Sequence, residues 1–409
     1  MQPESNTGVP WGTLTGIRPA KVAEKLLKKG ECAESVFEIL KHDYQVSPDR
    51  AALCIETAQA ALRIRETLTP KDIALYIGIP FCPTRCAYCS FVSNSVEKSF
   101  NLIEPFTNTL IQEIKTVSRL VKDYGMRIIS VYIGGGTPTA LPDDALESIM
   151  STLTQSFDFL SLCEYTVEAG RPDTITEKNL EIMTRLGAKR ICINPQSMSA
   201  EVLSTIGRKH SPEDVTKAVE LVRQTGAALN MDVIAGLPSD TLEGFQQSFD
   251  TILGFSPENI TVHTLSLKKG SRLMLEKTDA PRGKKPDITP PATPLEALCG
   301  DLEEMLEYAS KQLREFKYSP YYVYRQKYIS GGFENTGWSQ PGYEGIYNIC
   351  MMEELCTVLA LGGGGVTKII TTDGRIERIF NAKYPLEYIN MTEKMKEKVR
   401  RVREYAVSV

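Results

Sequence analysis

Phe81-Cys82-Pro83-Thr84-Arg85-Cys86-Ala87-Tyr88-Cys89 sets three cysteines at Cys-x3-Cys-x2-Cys spacing directly behind the β-rich run Ile73–Ile79. Thiolates are the natural ligands of iron–sulfur clusters. Three of them on one loop hold three irons of a 4Fe–4S cubane and leave the fourth open. An open iron can chelate the amino and carboxylate groups of S-adenosylmethionine (SAM). An electron from the cluster then cleaves the sulfonium bond, giving methionine and a 5′-deoxyadenosyl radical. A structural zinc site usually takes four ligands in paired Cys-x2-Cys spacing, and no fourth Cys or His lies near this loop. Cys82, Cys86 and Cys89 are therefore the expected metal ligands.

Working outward, short β-rich runs alternate with helical stretches from residue 72 onward. The runs are Ile73–Ile79, Ile128–Ile133, Tyr165–Val167, Ile191–Asn194, Ala228–Ile234 and Ile260–Leu267. Between them lie the helix candidates Leu102–Lys122, Asp143–Gln155, Thr176–Leu186, Pro212–Thr225 and Leu242–Leu253. This alternation predicts an α/β fold of right-handed parallel βα units. Two units are missing from a full (β/α)8 barrel before residue 277, so the expectation is an open six-strand (β/α)6 barrel. Its cysteine loop follows a strand's carboxyl end, where barrels place catalytic groups.

The flanks read differently. Residues 1–70 look like a helical amino-terminal segment over Lys21–Lys29, Glu34–Lys41 and Pro48–Leu68, with Ser47 as a cap before Pro48. The barrel is expected over 71–276. Lys277–Pro294 holds five prolines and reads as a linker. Residues 295–409 form a mixed carboxy-terminal domain, opening with a helix at Leu295–Phe316. A Tyr-rich stretch, Tyr318–Tyr328, and a Gly run, Gly362–Gly365, follow.

Composition narrows the function. The chain has 409 residues, 42% of them hydrophobic and 24% charged, with net charge −4. That mild acidity is a poor match for nucleic acid. No apolar run is long enough to span a membrane, and no secretory signal is visible at Met1–Pro10, so a cytoplasmic protein is expected. Of the ten cysteines, the seven outside the loop (Cys32, Cys54, Cys163, Cys192, Cys299, Cys350 and Cys356) read as small buried hydrophobes.

Other strand ends carry polar residues suited to a cofactor. Gly134-Gly135-Gly136-Thr137-Pro138-Thr139 follows the second strand, where glycines allow close approach and expose N–H groups. Glu168, Gln196 and Asp232 end or follow later strands, and Arg208 and His210 follow the fourth. Together they share one rim. Tyr76, six residues before Cys82, and Tyr88, between two ligands, either pack in the core or meet the sulfonium or adenine of SAM.

The string Tyr76-Ile77-Gly78-Ile79-Pro80-Phe81-Cys82, the cysteine loop and the Gly-Gly-Gly-Thr-Pro-Thr run resemble the oxygen-independent coproporphyrinogen III oxidases (dehydrogenases), radical SAM enzymes. The likeness continues through Val167-Glu168-Ala169, Asn194-Pro195-Gln196-Ser197, Ile206–His210 and Asn230–Pro238. At the ends, Trp11–Pro19, Pro320–Lys327 and Pro341–Asn348 are similar to the branch of coproporphyrinogen dehydrogenases from anaerobic and Gram-positive bacteria. Members of that branch carry a further amino-terminal segment, so the resemblance implies a shortened chain here.

The resemblance implies SAM contacts from Tyr76, Tyr88, Gly135, Gly136, Thr137, Glu168, Gln196, Arg208 and Asp232, with Val366 after the Gly run. It implies a catalytic role for Tyr76 beside the three cysteines. The implied reaction removes hydrogen from two porphyrinogen propionates, with loss of carbon dioxide and formation of vinyl groups. A flavodoxin or ferredoxin would supply electrons. Tyr321, Tyr322, Tyr324, Arg325 and Lys327 are the candidate tetrapyrrole contacts, the cations meeting propionates.

Two positions depart from that pattern. Proven oxidases carry a fourth Cys two residues after the third ligand, where Phe91 stands here, as in haem-chaperone relatives. Those chaperones carry a His-Asn-x-x-Tyr-Trp motif. The matching stretch here is Tyr347-Asn348-Ile349-Cys350-Met351-Met352. Haem binding, or radical chemistry on haem or another tetrapyrrole, is the alternative reading.

Overall fold

A computed structural model describes residues 10–16, 18–89, 94–266, 271, 273, 295–325 and 332–409. Phe91, Lys327 and the linker expected over 277–294 lie outside the described residues. In chain order the strands are β1 (Asp72–Ile79), β2 (Phe81–Cys82), β3 (Asn94–Ser95), β4 (Arg127–Gly135), β5 (Glu164–Glu168), β6 (Arg190–Gln196), β7 (Ala228–Ala235), β8 (Asn259–Thr264), β9 (Ser319–Arg325), β10 (Glu334–Ser339), β11 (Thr357–Gly362), β12 (Val366–Ile370) and β13 (Ile376–Phe380). β2 and β3 pair alone; the rest form one sheet ordered β13-β12-β11-β1-β4-β5-β6-β7-β8-β10-β9.

The six strands read from the sequence are the parallel middle of this sheet, in chain order. Helices Ile103–Asp123, Asp143–Ser156, Glu177–Arg185, Pro212–Thr225 and Leu242–Gly254 lie between them in the chain. The carboxy-terminal strands continue the same sheet at both edges. β11 runs parallel beside β1 and carries the antiparallel β12 and β13. At the other edge β10 runs antiparallel to β8, and β9 to β10. An open sheet leaves a row of unpaired backbone groups along each edge, and these strands cover both rows. Among the described residues no helix is long and apolar enough to cross a membrane.

The two-residue period of the strands sorts side chains onto two faces. Ile73, Leu75, Ile77 and Ile79 of β1, Val131 and Ile133 of β4, Tyr165 and Val167 of β5, and Leu229, Met231 and Val233 of β7 enter the main core. Helix Ile103–Asp123 meets that core with Phe106, Leu110, Ile114 and Val117, one stripe at helical spacing. The amino-terminal helices Ala20–Lys28, Ala33–His42 and Pro48–Thr67 add Ala23, Leu40 and Leu53 to the same core. The residues between the core positions face the opposite side, and there the site lies.

Two local expectations are corrected. Ser47 stands at the helix start but its side chain makes no cap; its N–H donates to the Pro10 carbonyl at 2.9 Å, and Pro48 at the first helical position sets the φ of the first turn. Cys32 and Cys163 are exposed, not buried. Cys32 is the cap of helix Ala33–His42, its sulfur accepting the Ser35 N–H, and a cap needs no burial. Cys54, Cys192, Cys350 and Cys356 are buried.

Candidate active site

The cysteine loop is fixed by backbone bonds. β2 pairs with β3, setting Cys82 opposite Ser95, and Val96 donates to the Cys82 carbonyl at 3.0 Å. Farther along, Ala87 donates to Ile206 at 2.9 Å and Cys89 to Cys86 at 3.2 Å. Cys82, Cys86 and Cys89 all line one cavity of about 520 Å³. Two sulfurs receive donors: Thr137 Oγ1 lies 3.5 Å from Cys82 Sγ, and Arg171 Nη1 lies 3.9 Å from Cys86 Sγ. Arg171 is itself held by Asp173 and by Thr84.

The glycine run is stitched to the strand that leads into Cys82. Gly136 donates to Ile79 and Thr137 to Phe81, each at 2.7 Å. A Cβ on Gly136 would sit 2.4 Å from the Phe81 carbonyl, so only glycine allows this approach. Gly135 has φ +106°, a conformation closed to side-chain-bearing residues. Across the sheet the second glycine run turns β11 into β12, and Gly363 donates to the Gly78 carbonyl at 3.0 Å. This turn brings Gly364 and Val366 to the cavity.

Three tyrosines form one wall. The Tyr132 and Tyr347 rings stack at 4.5 Å, with Tyr76 about equally spaced from both at 6.3 and 6.1 Å. Tyr132 Oη donates to Glu168 Oε1 at 2.6 Å, and the Gly135 N–H donates to Oε2 at 3.2 Å. Burial is the largest influence on Glu168 and pushes its carboxyl up to about 7, against the lowering effect of the Tyr132 bond.

Arg208 also lines the cavity and donates to the Asn194 carbonyl at 2.7 Å and to Tyr88 Oη at 3.0 Å. Burial pushes the Tyr88 phenol well up, so it stays neutral. Gln196 follows a register shift between β6 and β7 and holds φ +71°. A non-glycine residue in that region is costly, and such positions cluster at functional sites. Its buried Oε1 and the Asn194 Oδ1 have no hydrogen-bond partner among the described residues. His210 does not line this cavity; burial and the neighbouring Arg208 and Arg171 hold its imidazole down to about 4, leaving it neutral.

Helix Ile346–Glu353 lines the cavity too, and its Tyr347 N–H donates to Glu164 Oε2 at 2.8 Å. The other Glu164 oxygen takes Arg190 at 2.9 Å and Thr166 at 2.7 Å. Tyr321, Tyr322 and Tyr324 reach the cavity from β9. Arg325 does not. Its guanidinium donates to the Leu14 carbonyl at 2.7 Å and to Gly332 at 2.8 Å, and stands over the Trp11 ring, so it clamps the amino-terminal loop.

The structure thus brings to one cavity Tyr76, Cys82, Cys86, Tyr88, Cys89, Gly135, Gly136, Thr137, Glu168, Gln196, Arg208, Asp232 and Val366, together with Tyr321, Tyr322 and Tyr324. Sequence reading missed Tyr132, Glu164, Arg171, Arg190, Asn230, His263, Asn335 and Tyr347, which line it too or hold its walls. The signal was present. Parallel strands covered on both faces read as continuous apolar runs, yet Glu164-x-Thr166-x-Glu168, Asn230-x-Asp232 and Thr261-x-His263 place polar residues at every second position.

Known proteins resemble this chain in sequence and fold. The radical SAM superfamily matches residues 76–252. The oxygen-independent coproporphyrinogen-III oxidase-like protein HemZ of Bacillus subtilis is 37% identical over 392 residues, 94% of this chain and 75% of HemZ. The chain belongs to the oxygen-independent coproporphyrinogen-III oxidase-like family of radical SAM proteins. The haem chaperone HemW of Escherichia coli is 24% identical over 317 residues, 76% of this chain and 74% of HemW. HemW of Bacillus subtilis is 31% identical over 192 residues, 46% of this chain and 49% of that protein. The structure of coproporphyrinogen III oxidase (HemN) from Escherichia coli superposes with TM-score 0.59 at 21% identity, covering 84% of this chain and 72% of HemN, and shows the same fold.

Membership of this family implies a 4Fe–4S cluster and SAM. The residues present fit both. Among the described residues no three His, Cys, Asp or Glu side chains converge as ligands of a single ion do. Ligands of a cubane sit on different irons and stand farther apart, and three thiols along one cavity wall meet that requirement. The unpartnered Gln196 Oε1 and the glycine cradle at 135–136 suit a polar ligand laid beside them.

Proposed function

We propose that this chain converts two propionates of coproporphyrinogen III to vinyl groups by oxidative decarboxylation, forming protoporphyrinogen IX. The observation that carries the reading is the shared chamber: the three thiols and the Tyr322–Tyr324 wall open into one cavity of about 520 Å³. That is the size of small-molecule sites. When bound at Cys82, Cys86 and Cys89, the cluster would supply the electron that cleaves SAM to the 5′-deoxyadenosyl radical. The chain's own residues do the rest. Gly135, Gly136, Thr137, Glu168, Gln196, Arg208 and Asp232 hold SAM, with Tyr76, Tyr88 and Val366 against its apolar parts. Tyr322 and Tyr324 hold the macrocycle so that one propionate arm points at the radical. Each arm gives up one hydrogen atom, one carbon dioxide and one electron, the electron going to a one-electron acceptor. A flavodoxin or ferredoxin in the cytoplasm supplies the reducing electron.

A second reading, haem binding without turnover, is supported by the HemW relatives and by Met351 and Met352, which line the cavity and are of a residue type that ligates haem iron. Anaerobic incubation of the reconstituted protein with SAM, dithionite and coproporphyrinogen III separates them. Loss of two carboxyl groups from the porphyrin supports the oxidase; unchanged porphyrin with stoichiometric haem binding supports the second reading.

A further inference from the structure

Gly170, at φ +57°, follows the end of β5, and the next residue is an arginine that solvent barely reaches: the Arg171 side chain is 3% exposed. A guanidinium holds five N–H bonds in a fixed plane. Along one edge, Nε and Nη2 donate to the two oxygens of Asp173 at 3.1 and 3.3 Å. At the far end, Nη1 donates to Thr84 Oγ1 at 3.0 Å and to Cys86 Sγ at 3.9 Å, both within the cysteine loop. Four of the five N–H bonds are thereby taken. One remains, on Nη2, and a carboxylate needs two side by side for a bidentate grip. Arg171 is therefore arranged to serve the cysteine loop and not to clamp a carboxylate of SAM or of a substrate.

The charges around this contact are unequal. Arg171 is buried, whereas its counter-ion Asp173 has a side chain 23% exposed, so water screens the carboxylate more than the guanidinium. Cys86 thus meets a cationic donor, while Cys82 meets the neutral hydroxyl of Thr137. A sulfur that ligates iron gains negative charge when the cluster takes up an electron. A hydrogen bond to that sulfur, above all from a cation, favours the reduced form.

We propose that Arg171, acting through Cys86, raises the reduction potential of a 4Fe–4S cluster held at Cys82, Cys86 and Cys89, and so sets how readily the protein accepts the electron that cleaves SAM. This rests on the cluster reading above.

The test reads the potential without turnover. The cluster is reconstituted anaerobically in the unaltered protein and in variants, and the paramagnetic signal of its reduced form is titrated against potential with no SAM present. Arg171→Leu should make reduction about tenfold less favourable, the low end of what a hydrogen bond to a charged group is worth. For a one-electron couple that is a fall of about 59 mV. Arg171→Lys keeps the cation and should recover at least half of the fall. Asp173→Asn keeps an oxygen for the guanidinium, removes the opposing charge, and should raise the potential. A role in loop packing alone would move Arg171→Leu and Asp173→Asn in the same direction. Iron content and signal intensity report whether each variant holds its cluster; if Arg171→Leu loses it, a fall in Arg171→Gln and a rise in Asp173→Asn decide in its place. A potential that does not fall on loss of the Arg171 guanidinium, or does not rise in Asp173→Asn, overturns the inference alone. Failure of the unaltered protein to bind iron or give the signal overturns the cluster reading with it.

Discussion

The Tyr132 hydroxyl donates to Glu168 Oε1 at 2.6 Å, so a tyrosine from the aromatic wall bears on the charge of a carboxyl that lines the cavity. Burial lifts Glu168 to about 7 and this bond opposes the lift. A carboxyl so placed is neutral below that value and anionic above it. SAM and S-adenosylhomocysteine carry an ammonium group, so binding should tighten as pH rises from 6 to 8. Calorimetry with S-adenosylhomocysteine should show this rise, Glu168→Gln should bind about 10-fold more weakly with no pH dependence, and Tyr132→Phe should move the midpoint upward.

Glu353 offers a stability test away from the cavity. It is 1% exposed, neither oxygen has a hydrogen-bond partner among the described residues, and burial raises its carboxyl to about 7. The unfolded chain loses this proton near the model-peptide value and the folded one holds it to about 7, so stability falls as pH rises through that window. Glu353→Gln removes the loss. Thermal unfolding should show the variant stabilised by about 1–3 kcal/mol at pH 8 and little changed at pH 4.

A buried ion pair holds the carboxy-terminal helix Thr392–Ser408. Lys398 Nζ meets Glu113 Oε1 at 2.7 Å, with both side chains buried, while Glu113 Oε2 accepts the Gly362 N–H at 2.8 Å. Lys398→Met leaves an uncompensated carboxylate and should cost about 3–5 kcal/mol in denaturant unfolding. Glu113→Gln combined with Lys398→Met removes both charges and should recover most of it.

Replacing Cys82, Cys86 and Cys89 with Ala should abolish iron content and SAM cleavage together. Cys350 and Cys356 pack beneath Tyr347 in a cluster of their own, off the cavity lining. Their replacement should leave the iron content unchanged, which elemental analysis after reconstitution will show.

Much of this site was legible because its chemistry is local in sequence. The three loop cysteines, Gly135–Thr137 and the strand-end residues Glu168, Gln196 and Asp232 follow from spacing, strand alternation and resemblance, and the structure gathers them at one cavity. What stayed hidden depends on distant pairing. That β11 runs beside β1 is set by edge groups and not by any motif, and it is this pairing that carries Val366 to the cavity. Tyr347 was visible as a departure from a chaperone motif, but its stack with Tyr132 joins residues more than two hundred positions apart. Arg325 looked like a propionate ligand by charge alone; the Leu14 carbonyl, which claims it, lies at the other end of the chain.

The most direct test of the central claim follows a single hydrogen. Coproporphyrinogen III deuterated at the propionate carbon next to the ring is incubated anaerobically with the reconstituted protein, SAM and dithionite, and 5′-deoxyadenosine and porphyrin are both weighed by mass spectrometry. Deuterium in the deoxyadenosine, with two carboxyl groups lost from the porphyrin, is the expected result. Unlabelled deoxyadenosine beside an intact porphyrin would contradict the account.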